Sequence, residues 1–202
     1  FSDNIIFRAS SYKSSLSDKK NSISHLFSKY ELDLNFSKYE KSNINFFLEK
    51  VSNDTYLKVF DTNLMETEIK PLNPNILNTG LKLTLDHEDY NFDMGINAYE
   101  NLQVQKSSDR YQYIFPEFDF SKNISLPENY NGSFDFNSYG SNKNYDTNIF
   151  ESSITNDFLY SSNDFINDKG FLNNYYLLLK NTNSYSNNSS DLNDNENYDL
   201  YG

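Results

Sequence analysis

Tyr90-Asn91-Phe92-Asp93-Met94-Gly95-Ile96-Asn97-Ala98-Tyr99 is the stretch that decides the architecture of this chain. Its residues alternate: Tyr90, Phe92, Met94, Ile96 and Ala98 on one phase, Asn91, Asp93, Gly95, Asn97 and Tyr99 on the other. Successive side chains of an extended strand point to opposite faces, so one face is apolar almost throughout and the other is polar or small. Such a strand separates two different solvents. Ten residues at about 3.3 Å each, inclined by about 45°, rise roughly 23 Å, close to the ~25 Å apolar band of an outer-membrane β-barrel. On this reading Tyr90, Phe92, Met94, Ile96 and Ala98 face lipid, and Asn91, Asp93 and Asn97 face a hydrated lumen.

The same period recurs on both sides of this stretch. Tyr30, Leu32, Leu34 and Phe36 alternate with Glu31, Asp33 and Asn35; Ile44, Phe46 and Leu48 follow, then Leu81, Leu83 and Leu85. Downstream come Tyr111, Tyr113 and Phe115, then Phe134 and Phe136, then Tyr145, Thr147 and Ile149, then Tyr175, Leu177 and Leu179. Turn-forming clusters separate them at Asp18–Asn21, Asn73–Asn75, Asn129–Gly132, Ser138–Asn144 and Asn181–Asn197. The expected fold is therefore all-β, an antiparallel transmembrane barrel of which residues 1–202 form one partial domain of about 8–10 strands, with 181–199 as a long loop. Tyr90, Tyr99, Tyr111, Tyr113 and Tyr175 lie near segment ends, where an interfacial girdle places aromatics.

A soluble β-sandwich or solenoid alternates as well. Its outer face is normally rich in Lys and Glu, whereas the polar phase here is mostly Asn, Ser, Asp and Thr. Only 4 Pro and 6 Gly are available for the tight regular turns of a solenoid. Aromatics make up 17% of the chain, which argues against general disorder, because those side chains drive collapse.

Composition also limits function. A net charge of -12 excludes a general nucleic-acid binder, whose affinity comes from Lys and Arg releasing counterions. With no cysteine there is no disulfide framework and no thiolate metal site. The longest apolar run, Tyr175–Leu179, is far short of the ~20 residues of a transmembrane helix. Phe1–Ser10 lacks the features of a signal peptide, so an outer-membrane location implies that the chain is an internal piece.

No catalytic, cofactor-binding or metal-binding residue is expected. His25 and His87 each stand without the further ligands that zinc requires, and no nucleophile elbow or phosphate-binding glycine loop is present. Asp191, Asp194, Glu196 and Asp199 offer hard oxygens for calcium, but without the glycine of an EF-hand loop they read as a solvated acidic loop.

A specific likeness begins at Asn53-Asp54-Thr55-Tyr56-Leu57-Lys58-Val59-Phe60-Asp61. It continues, in order, through Leu81–Leu85, Tyr90–Tyr99, Asp109-Arg110, Phe115-Pro116-Glu117-Phe118, Gly132–Phe136, Asn156–Asn163 and Gly170–Lys180. This series resembles the β-barrel region of the lipopolysaccharide-assembly outer-membrane protein family, of the alphaproteobacterial type. The resemblance implies transport without catalysis. In that family lipopolysaccharide arrives over periplasmic bridge proteins docked on an N-terminal domain, and its acyl chains enter the outer-membrane lipid through a lateral gap. Its sugars cross a polar lumen filled by a lipoprotein plug. The jelly-roll domain and the strands that close the barrel have no counterpart here, so the piece would serve as barrel wall. A general porin-like barrel and a secreted soluble β-rich adhesin or surface protein are the other readings of the same alternation.

Overall fold

The computed structural model describes residues 5–15, 22–59, 69–105, 108–127, 130–189 and 197–201. The strands are β1 (Ile5–Ser15), β2 (Ser22–Asp33), β3 (Lys41–Val51), β4 (Ile76–Asp86), β5 (Tyr90–Asn101), β6 (Tyr111–Ser125), β7 (Ser133–Tyr145) and β8 (Phe150–Ser161). A short hairpin of β9 (Phe165–Ile166) and β10 (Leu172–Asn173) follows, then β11 (Tyr176–Asn187) and β12 (Asn197–Tyr201). One helical turn, α1 (Tyr56–Val59), lies between β3 and β4. Ten strands form a single antiparallel meander in the order β1-β2-β3-β4-β5-β6-β7-β8-β11-β12, with β1 and β12 at its edges. The all-β antiparallel class read from the alternation is the observed one.

Register puts most of the apolar phases on one face; Tyr145, which pairs with Gln112, lies on the other. Paired residues in antiparallel strands share a face, and the row through Met94 runs Leu32, Ile44, Leu83, Met94, Phe118, Gly140, Ile154 and Asn183. The neighbouring rows on that face join Tyr30, Phe46, Leu81 and Ile96, and Leu85, Phe92 and Phe120. Charged side chains within the strands take the opposite face, as at Lys29, Glu31, Lys82, Asp93, Glu117 and Asp157, while Lys50, Glu100 and Lys122 on the apolar face stand near strand ends. No second layer of described residues covers the apolar face: Phe46, Leu81, Met94, Ile96, Phe158 and Leu179 are all exposed, Met94 at 41%.

The apolar zone slants across the strands. On β3 it centres on Phe46, two residues beyond the Met94 row toward one end of the sheet; on β11 it centres on Leu177–Leu179, four to six residues toward the other. That drift of about seven residues over six strand-to-strand steps, at about 3.4 Å per residue and 4.8 Å per strand, inclines the strands by roughly 35–40° to the apolar zone. Barrel strands tilt by a similar angle.

Strand β6 keeps its aromatics on the apolar face by means of a bulge. Ile114 pairs with Asn97 but Glu117 pairs with Gly95, so Phe115-Pro116 forms the irregularity. Proline has no N–H to give a ladder and is tolerated in sheets mainly at edges and bulges. The parity change puts Tyr111 and Tyr113 on the same face as Phe118 and Phe120. Phe118 lies over Gly140, the strand position that lacks a side chain of its own.

Several boundaries differ from the sequence reading. Ser138–Asn144 lies inside β7, and residues 181–187, assigned to a long loop, continue β11. Turn-prone composition is overridden there by pairing along the whole length of β8 and by side-chain bonds such as Ser152 Oγ to Asn142 Oδ1, 2.6 Å, and Asn183 Nδ2 to Asn181 Oδ1, 2.7 Å. Thr147 and Ile149 form the β7–β8 turn, with Asn148 at a φ of 60°. Leu34 and Phe36 lie beyond the end of β2, past which Asn35 turns at a φ of 48°. Asp191, Asp194 and Glu196 lie outside the described residues, and Asp199 belongs to β12.

Aromatic rings line the two ends of the apolar face. Near the His87 turn, Tyr39, Tyr90, Phe120, Phe136 and Phe158 form a chain with centroid separations of 6.1, 6.0, 6.0 and 4.6 Å. At the opposite rim Tyr111 stacks with Tyr113 and Phe150 contacts Tyr185. Tyr99, expected among them, pairs with Asn78 and Gln112 on the polar face.

Candidate functional site

The polar face is an ordered surface. Lys82 Nζ stands 3.0 Å from Asp93 Oδ2, and Thr84 Oγ1 donates to Asp93 Oδ1 at 2.6 Å, so the β4–β5 ladder is tied across its polar rungs. Asp93 lies directly opposite Asp119 on β6, where like charges repel unless water or cations intervene. Lys82, Asp93, Glu117, Asp119, Tyr139 and Ser153 line a cavity of about 400 Å³ above Gly95. The carboxylate and hydroxyl groups around this cavity can hydrogen-bond water or polar solutes.

The three residues expected on the polar face do share it, with different surroundings. Asn91 is exposed near the His87 rim and Asp93 is half-buried in the cavity wall. Asn97 is 9% exposed and donates through Nδ2 to Glu117 Oε1. Gly80 makes room for it: a Cβ there would collide with Asn97 Oδ1 and with the Ile96 carbonyl. Gly80→Val is expected to cost about 1–3 kcal/mol by overpacking, whereas Gly95→Ala meets mainly the flexible Glu117 side chain and should cost under about 0.5 kcal/mol. Urea unfolding of the two variants in detergent checks the contrast. Tyr90, Phe92, Met94, Ile96 and Ala98 lie together on the apolar face.

At the rim opposite His87 the β3–β4 connection folds back against the end of the sheet. Asn53 caps α1, its Oδ1 accepting from Thr55 N at 2.8 Å and its carbonyl from Tyr56 N at 3.0 Å. Tyr56 and Leu57 then pack with Phe27, Leu77 and Leu102 in the buried cluster of the described residues. Phe27 is fully buried, and His25 Nδ1 meets Tyr56 Oη at 2.7 Å. His25 and Phe27 are on the polar face of β2, while Leu77 pairs with Glu100 on the other phase, so the loop packs against the end of the sheet at this rim.

Arg110 fastens the loop in place. It is 3% exposed, and its guanidinium donates to both oxygens of Asp54, at 2.6 and 3.0 Å, to Glu100 Oε1 at 2.8 Å and to the Val104 carbonyl at 3.2 Å. The Asp54 hydrogen bonds, supported by Glu100, hold its pKa well above the usual arginine range against the opposing effect of burial. Tyr111 donates to the same Glu100 oxygen at 2.9 Å. Periodicity carries no trace of this link, because Asp54 and Arg110 stand 56 residues apart. The available signal is that Arg110 is one of two arginines in a lysine-rich chain, and arginine is favoured where a carboxylate is gripped by two parallel bonds.

Among the described residues no three His, Asp or Glu side chains gather in a way that would hold a metal ion. The arrangement offers an uncovered apolar face, an ordered polar face and a loop against one rim. Comparison with protein-family models, curated proteins and solved structures finds no match to this chain.

Proposed function

We propose that this sheet is an arc of an outer-membrane β-barrel and forms part of the wall of a lipopolysaccharide-assembly translocon. The observation that carries the barrel reading is the uncovered apolar face whose zone slants by roughly 35–40° across the strands, in the range of barrel tilt. Charge segregated to the other face, with aromatics at both ends of the apolar one, is what a lipid-facing exterior and a hydrated lumen require. The transport role rests on the ordered resemblance from Asn53 to Lys180. On this reading the partners are lipopolysaccharide, a lipoprotein plug in the lumen and bulk outer-membrane lipid, with periplasmic bridge proteins acting through a separate domain.

The test is site-specific photo-crosslinking in the parent protein in cells. Crosslinkers at Asn91 and Asp93 are expected to capture lipopolysaccharide or the plug lipoprotein, and those at Phe92 and Ile96 to capture bulk lipid. A porin-like barrel gives the same facing pattern without lipopolysaccharide or plug adducts. A secreted adhesin gives no lipid adducts at Phe92 or Ile96. If depleting the parent protein leaves surface lipopolysaccharide unchanged and no polar-face position captures either partner, the transport role fails.

A further inference from the structure

The connection from β6 to β7 holds Asn131-Gly132, the single asparagine in the chain that is followed directly by glycine. We propose that this pair is a self-modifying site, at which the Gly132 nitrogen closes on the Asn131 side-chain amide and water then opens the ring to aspartate or isoaspartate. Its chemistry is independent of the barrel reading and adds a modification site to the fold.

The turn supplies what ring closure needs. Asn131 is exposed, and its side-chain amide has no hydrogen-bond partner among the described residues. Gly132 stands just ahead of β7, and its N–H has no acceptor among the described residues, so the nitrogen is not held in a ladder. No side chain shields that nitrogen, and none could be added. Gly132 has a φ of 150°, and a Cβ there would collide with the Ser161 carbonyl. The fold thus requires glycine at the position that leaves Asn131 open to its neighbour. By contrast, Asn137-Ser138 and Asn183-Ser184 are each fixed between two paired strands.

Tyr160 gives the turn a chemical role. Its Oη donates to the Asn131 carbonyl at 2.7 Å. Ring closure requires the Gly132 N–H to lose its proton, and the negative charge left on the peptide group spreads to the Asn131 oxygen. A hydroxyl donating to that oxygen favours the charged form, so the nucleophile is more available than in an unstructured Asn-Gly pair. The Gly132 nitrogen then bonds to Asn131 Cγ, the Cγ–Nδ2 bond breaks, and Nδ2 takes a proton from solvent and leaves as ammonia. Water adds to either ring carbonyl. Attack at Cγ restores the main chain with an aspartate, and attack at the former peptide carbonyl gives isoaspartate, whose new carboxylate is the group Tyr160 already touches. Each event adds a negative charge to a chain already at -12, and isoaspartate also inserts a backbone atom ahead of β7. The converted fraction records the age of the molecule.

The test ages the full chain in detergent micelles at neutral pH, folded and in urea. Digested samples are read by mass spectrometry for amide-to-acid exchange, with aspartate and isoaspartate peptides separated. Conversion at Asn131 is expected to run ahead of that at Asn137 and Asn183, and to be at least as fast in the folded chain as in urea. Tyr160→Phe is expected to slow it about tenfold in the folded chain, the value of a hydrogen bond to a charged group, and to leave the rate in urea unchanged. Slower conversion folded than in urea overturns the proposal, and so does conversion no faster at Asn131 than at the two strand positions. An unchanged rate in a Tyr160→Phe chain with wild-type circular dichroism overturns the role of Tyr160. If that variant does not fold, the folded-to-urea ratio of the wild-type chain decides alone.

Discussion

On the proposed barrel reading, Met94→Arg is expected to destabilise the protein in phospholipid vesicles by about 2–4 kcal/mol, the cost of a cation placed at mid-depth on a lipid-facing strand. Met94 stands in the middle of the apolar zone, flanked in its row by Leu83 and Phe118, and is 41% exposed. If that face met water, replacing an exposed methionine would change stability by no more than about 0.5 kcal/mol. The matching control is Asn91→Arg, on the polar face and already exposed, with an expected cost under about 1 kcal/mol. Asn97 is a poor control, because it is buried beside Glu117 and Gly80 and a large side chain there would clash whichever solvent lies outside. Denaturant titration of both variants measures the difference, and equal tolerance would remove the two-solvent argument.

Arg110→Ala is expected to cost about 3 kcal/mol, at the lower end of what breaking a buried ion pair costs, because Asp54 remains half exposed while Glu100 loses its partner in a more buried setting. Arg110→Lys should recover little of this, since an ammonium cannot grip both Asp54 oxygens and also reach Glu100 in the same geometry. The local readout is limited proteolysis: the 52–59 loop should become cleavable before the strands do. Combining Arg110→Ala with Asp54→Asn should cost less than the sum of the single changes, because the two sites share one interaction. Wild-type stability in Arg110→Lys would refute the clamp.

How much of this was legible beforehand depends on distance along the chain. Alternation is a local signal, so the faces of Tyr90–Tyr99 and the existence of most strands could be read from neighbouring residues. Ser138–Asn144 and residues 181–187 defeat that reading. Their Asn and Ser content suits turns, and their strand state comes from pairing with β6 and β8, which no local pattern records. Polar residues also sit on the apolar face there, at Asn142, Asn181 and Asn183, on the side from which the slant has carried the apolar zone, while Asn156, between Ile154 and Phe158 on β8, accepts a hydrogen bond from Ser138 Oγ at 2.8 Å. Strict alternation is lost where strand and zone cross. The clamp was least legible of all. Asn53–Asp61 and Asp109-Arg110 stand in the sequence as separate segments, and that Asp54 and Arg110 touch is a property of the fold alone.

Because the sheet is a meander, every ladder joins strands adjacent along the large sheet, and the widest gap between partners is the 24-residue connection from β3 to β4. Closing short loops loses little chain entropy, and the loss grows only slowly with length. Such a sheet can grow by adding one hairpin to the last, each new strand templated by an edge already in place and each edge exposed only until the next arrives. The hairpin is then also the natural unit of change: duplicating or deleting one would alter the sheet by two strands and leave the register of the others intact.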